Sequence, residues 1–106
     1  MLKAVFEGQV YQITVPPEVL NDGAAFFQYM NADMDRGWQM GREWVEAPDA
    51  TQRCQIAADK LVDAINAENE TLAGLMAGYI VTHCPGTREV HIVTDGDPME
   101  TVLIGA

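Results

Sequence analysis

DATQRCQIAADKLVDAINAENETLAGLMAGYIVTHC, running from Asp49 to Cys84, is the stretch on which the fold turns. Its apolar residues recur at intervals of three and four. Cys54, Ala57, Ala58, Leu61 and Ile65 make one stripe, and Leu72, Leu75, Met76, Tyr79, Ile80 and His83 make a second. That spacing returns to the same side of an α-helix, so each stripe predicts a helix with one buried face. Asp49 followed by Gln52 has the spacing of a capping box, in which each side chain accepts from the other residue's backbone N–H. Asn66 and Asn69 terminate and cap helices, and ordinary helix lengths favour a turn at 66–69 over one unbroken helix. Cys84-Pro85-Gly86 stops the second helix.

Toward the amino end, Phe26, Met30, Met34 and Trp38 recur at every fourth position and predict another helix, with Asn21 or Asp22 as its cap. The reading carries it, frayed or kinked at Gly37 and Gly41, toward Trp44 and Val45, and Pro48 ends it. Before it, a short turn runs through Glu18 to Asp22. Residues 2–15 alternate instead, as a hairpin does if Glu7-Gly8 is the turn. Phe6 then faces Gln9, Ala4 faces Tyr11 and Leu2 faces Ile13, and Leu2, Ala4, Phe6, Tyr11, Ile13 and Val15 share an apolar face. The other face holds Lys3, Gln12 and Thr14, with Val5 and Val10 unexplained by the pattern. Pro16-Pro17 closes the second strand.

Toward the carboxyl end, Glu89–Thr94 and Met99–Ile104 read as a second hairpin across the turn Asp95-Gly96-Asp97-Pro98. A four-residue loop puts Val90, Ile92, Met99 and Leu103 on one side, and Val93, Val102 and Ile104 on the other with His91 and Glu100. Strands apolar on both sides are normally covered on both. The expected architecture is therefore one α+β domain spanning 1–106 in the order ββαααββ, an antiparallel sheet of about four strands with helices packed on one face.

Composition narrows the function classes. Among 106 residues, 6 Lys and Arg stand against 16 Asp and Glu, a net charge of −10 that disfavours phosphate backbones and anionic lipid. Neither nucleic acid nor membrane is an expected partner. The longest apolar run, Leu72 to Val81, is interrupted by Gly74 and Gly78 and falls short of the ~20 residues of a membrane span, and Met1 to Glu7 does not read as a secretion signal. Cys54 and Cys84 sit on separate elements without the spacing of a disulfide scaffold, which reads as reduced thiols in a cytoplasmic protein.

The chemistry-bearing residues form no familiar set. His83, His91, Cys54 and Cys84 lack metal-ligand spacing, so neither metal nor cofactor is expected. Cys84 beside His83 invites a thiol nucleophile, but a helix carboxyl end opposes a thiolate. Asp95, Asp97 and Glu100 lack the full calcium-loop pattern and read as a solvated turn. Asp33 to Trp44, in contrast, holds both tryptophans and two of the basic residues, and Trp, Arg and Met are enriched at binding surfaces. Arg36, Trp38, Met40, Arg42 and Trp44 are the expected interaction residues. His91, Val93, Val102 and Ile104, left uncovered on the second hairpin, are the expected contact of a two-fold homodimer, with the Trp38 to Trp44 segment as the alternative contact. The function expected is protein–protein interaction, with itself or another protein, in a regulatory or assembly role. The alternative is a small enzyme or ligand-binding protein with a pocket at a subunit interface near His83, Cys84 and His91.

Overall fold

In the structure, a computed structural model that describes residues 1–105, Glu7 and Gly8 turn the chain at φ of 52° and 74°. Positive φ at both central residues matches the right-handed twist of the flanking strands. β1 (Leu2–Phe6) and β2 (Gln9–Ile13) accordingly pair in the register the alternation predicts, with Leu2 opposite Ile13, Ala4 opposite Tyr11 and Phe6 opposite Gln9. Pro16 and Pro17 then lead into α1 (Pro17–Asp22), where a proline in the first turn forfeits no intrahelical bond.

α2 (Ala24–Asp35) corrects the reading of the next segment in three ways. Its buried residues are Phe27, Met30 and Met34, while Phe26, the first member of the expected stripe, is 38% exposed. Its preceding cap position is Gly23, not Asn21 or Asp22. It also stops at Asp35 instead of continuing to Trp44. Gly37 donates its N–H to the Met34 carbonyl and takes φ of +97°, and a glycine leaving right-handed geometry there ends the helix. The chain beyond it is a second hairpin, β3 (Trp38–Met40) and β4 (Glu43–Val45), turned at Gly41 with φ of +62°.

α3 (Ala50–Asn66) opens with both halves of the expected capping box: Asp49 Oδ1 accepts from the Gln52 N–H at 2.8 Å, and Gln52 Oε1 accepts from the Asp49 N–H at 2.9 Å. The break before α4 (Glu70–His83) lies where the asparagines place it. Glu68 takes φ of 55°, the Asn69 N–H reaches back to the Ala64 carbonyl at 2.9 Å, and Asn69 Oδ1 caps α4 by accepting from the Leu72 N–H at 3.1 Å. The two helices fold back on one another and form the layer over the sheet.

β5 (Thr87–His91) and β6 (Val102–Gly105) pair antiparallel in the register of a four-residue loop, Val90 opposite Leu103 and His91 opposite Val102. β6 starts three residues later than expected. Asp97 Oδ1 accepts from the Met99 N–H at 2.9 Å and winds Pro98–Glu100 into a 3-10 turn, which Gln55 of α3 holds by donating Nε2 to the Met99 and Thr101 carbonyls.

The sheet order is β2-β1-β5-β6, and β1 pairs with β5 in parallel: Lys3 with Glu89, Ala4 with Val90 and Val5 with His91. The sheet is thus mixed, not antiparallel, and the element order is ββααββααββ instead of ββαααββ. A crossover long enough to hold helices can bring a strand back beside the first in either direction, whereas a tight turn cannot. Leu2, Ala4, Phe6, Val90 and Ile92 point from the sheet into the core shared with Leu61, Met76, Tyr79 and Ile80. Among the described residues no helix is long and apolar enough to cross a membrane.

Candidate functional site

The β3–β4 hairpin holds four of the five expected interaction residues, and the structure does not gather them into one surface. Trp38 stands opposite Val45 and Met40 opposite Glu43 on the side facing the protein, where Met40 is fully buried. Trp44 stands opposite Gln39 on the other side, 56% exposed. Its indole lies so close over Gly37 that a β-carbon there would run into the ring. Arg36 and Arg42 are exposed. The two rings point apart because neighbouring strand positions alternate.

Trp38 instead closes one end of a cleft of about 310 Å³ between α2 and the α3–α4 pair, lined also by Tyr29, Met30, Met34, Leu72 and Met76. Lys60 Nζ lies 5.1 Å from the Trp38 ring centre, within cation–π range, and Asp33 and Asp63 complete the polar edge. On the adjoining turn of α3, burial, and after it the charge of Asp63, raises the Asp59 carboxyl above the usual carboxylate range.

On the sheet three of the four expected homodimer residues, His91, Val102 and Ile104, lie on one face, and Val93 lies beyond the end of β5. Pairing places Val10, Val5, His91 and Val102 side by side across all four strands, and Gln12, Lys3, Glu89 and Ile104 form the neighbouring row. Both rows face away from Leu2, Ala4 and Val90, hence away from the helices. Val10 is 61% and Val102 53% exposed, and Val5, Val93 and Ile104 are partly buried among their neighbours. Val5 and Val10, unexplained by the pattern, are two members of the first row. His91 Nε2 lies 3.6 Å from Glu89 Oε1.

His83 and Cys84 belong to a different place. The His83 ring stacks on Tyr79 at 4.0 Å between centroids and meets Phe27 edge-on at 5.9 Å. Its Nδ1 lies 3.0 Å from the Tyr79 carbonyl and its Nε2 3.3 Å from Asn31 Nδ2, partners that assign the proton to Nδ1. Asn31 Oδ1 accepts from the Tyr79 hydroxyl at 2.6 Å and from Arg53 at 3.3 Å, and Arg53 donates onward to Asp35 at 2.6 Å and to the Pro48 carbonyl at 2.8 Å. Burial is the main reason that the Tyr79 hydroxyl is pushed up to about 12. Within one chain His91, on the open face of the sheet, does not join His83 and Cys84.

Beside this network the structure brings together a pair that the sequence reading kept apart. Cys54 Sγ lies 2.9 Å from Cys84 Sγ, and both are free thiols. Burial, and after it the neighbouring Cys84, push the Cys54 thiol pKa far above that of an ordinary thiol. The signal was available: in a helical hairpin that turns near Asn69, Cys54 and Cys84 lie equally far from the turn, 69 − 54 and 84 − 69 both giving 15 residues. Among the described residues no three His, Cys, Asp or Glu side chains converge as a metal-ligating group. Comparison with known proteins finds no match for the chain among family models, curated proteins or solved structures.

Proposed function

We propose that this is a cytoplasmic protein that acts through protein–protein contact in a regulatory or assembly role. Its contact is a second copy of itself, laid across the open face of the four-stranded sheet. The observation that carries the reading is the row Val10, Val5, His91 and Val102, which runs through every strand of the sheet with no helix over it. Polar side chains serve a solvent-facing sheet surface equally well, so three aligned valines favour a covered face.

Charge points to the occupant. The chain carries −10, yet the two rows paired across this face contain only Lys3 and Glu89 as fully charged groups, one of each sign. It is thus a face on which two copies meet with little local repulsion, and two sheets packed face to face leave room for their side chains to interdigitate. Repulsion between the remaining charges acts over longer range and is screened beyond about 8 Å at physiological salt. A four-stranded face is small, so the dimer expected is a micromolar one that tightens as salt rises from low to physiological concentration.

Sedimentation velocity across a concentration series tests this. The wild type is expected to shift from monomer toward dimer below ~100 μM, and Val102→Glu to stay monomeric with an unchanged thermal midpoint, because the position is already half exposed. A wild type that remains monomeric at ~100 μM in physiological salt overturns the reading.

A further inference from the structure

Cys54 lies in the second turn of α3 and Cys84 is the residue that closes α4, and each sulfur reaches toward the other helix. Cys54 Sγ approaches the Ile80 carbonyl of α4 at 3.9 Å, and Cys84 Sγ approaches the Ala50 carbonyl of α3 at 3.7 Å. Between these contacts the sulfurs meet at 2.9 Å, less than an ångström beyond the ~2.0 Å of a sulfur–sulfur bond. The two differ in access: Cys54 is fully buried, whereas Cys84 is partly exposed. These are the only cysteines in the chain, so each thiol has one intramolecular partner.

We propose that Cys54 and Cys84 are a modification site, closing to an intramolecular disulfide when the folded protein meets a low-molecular-weight disulfide such as oxidised glutathione. Cys84, the accessible thiol, attacks as its thiolate. A bond forms between Cys84 Sγ and one sulfur of the reagent while the reagent's own disulfide breaks, and its second half leaves as a thiolate. Cys54 then loses its proton and attacks Cys84 Sγ, forming the protein disulfide and expelling the bound half of the reagent. Two protein thiols are oxidised and one external disulfide is reduced to two thiols, which take up the two protons the cysteines release. The order of attack follows from access, and the buried position of Cys54 makes it the resolving thiol. Its strong hold on its proton makes the second step the slower one.

The new bond joins the start of α3 to the end of α4 and closes the helical hairpin into a loop. Restricting the unfolded chain in this way is expected to raise the thermal midpoint by roughly 10 to 20 °C. Because the pair lies in the helical layer and not on the sheet's open face, the proposal stands apart from the self-association reading.

The experiment equilibrates the folded wild type with millimolar oxidised glutathione, quenches with acid and measures intact mass. A loss of about 2 Da is expected, the two thiol hydrogens, with a cross-linked peptide joining Cys54 to Cys84 and the higher melting midpoint reversed by dithiothreitol. Cys54→Ser is expected to retain one glutathione on Cys84, and Cys84→Ser to take up none while folded. A wild type that keeps a glutathione adduct, links two chains, or leaves both thiols open to alkylation after equilibration overturns the proposal. The wild-type measurement needs no variant, so a substitution that prevents folding leaves it just as refutable.

Discussion

The two faces of the four-stranded sheet are drawn from the same strands, one residue out of step, and they differ in what covers them. On the inner face Leu2, Ala4 and Val90 are wholly buried under the α3–α4 layer. On the outer face Val10 and Val102 stand more than half exposed at the two ends of the row that holds Val5 and His91. The difference separates two uses of apolar surface: the inner side chains contribute to stability through burial, whereas the outer ones contribute little until something covers them. Truncation reads that difference most directly and has the largest expected effect. Leu2→Ala is expected to cost about 2 to 4 kcal/mol in a denaturant melt and Val102→Ala less than about 0.5 kcal/mol at concentrations where the chain is monomeric. Equal losses at the two positions would break the comparison and would mean that the outer face is already covered within one chain.

The β3–β4 hairpin repeats the comparison on a smaller scale, with Met40 inside and Trp44 outside, and Gly37 holds it. Gly37→Ala places a methyl group against the Trp44 ring at a φ of +97° that alanine adopts poorly. A loss of roughly 1 to 2 kcal/mol is expected. Much of the cost lies in the backbone, because the exposed indole can swing outward. A fluorescence change at Trp44 without a matching loss of stability would show that the ring, not the dihedral angle, sets the conformation.

What could be read from the chain beforehand divides along similar lines. β1 and β2 were legible because Glu7-Gly8 fixes the turn and the turn fixes every pair after it. α3 was legible because its cap and its stripe agree. The hairpin at 38–45 was not. Its strands have three residues each, too few for alternation to show, and the interval of four from Met34 to Trp38 continued the preceding helix by coincidence. The glycines at 37 and 41 carried the missing information as positive-φ turns and were read as weak helix positions. The parallel pairing of β1 with β5 joins residues more than eighty positions apart, and nothing local encodes its direction. Val5 and Val10 held a trace of it, since apolar residues on the polar side of a hairpin mark a row that continues into other strands. The thiol pair required only the two helix assignments and a count from the turn.

The smallest expected effect tests whether the helical layer, too, has an outer side free of stabilising burial. Asp59 lies on α3 beside the cleft edge, and partial burial, followed by Asp63 one turn on, raises its carboxyl above the unfolded value. The folded state therefore holds the Asp59 proton more tightly than the unfolded chain does. Stability contributed by this group falls as pH rises from the unfolded carboxylate value, about 3.9, through the raised folded one, and the deficit is fully present at neutral pH. Asp59→Asn removes the ionisation and is expected to stabilise the protein at pH 7 by less than about 1 kcal/mol, since solvent screens a partly exposed site. The advantage should shrink as pH falls through that window and vanish below about 3.9, where both chains are neutral at this position. Paired denaturant melts at pH 7 and pH 3.5 measure it, and the difference between the two chains cancels the titration of the other carboxylates. A variant less stable than wild type at pH 7 would mean that the ionised Asp59 is held by a favourable contact, making this side of α3 a stabilising surface and narrowing the contrast to the sheet alone.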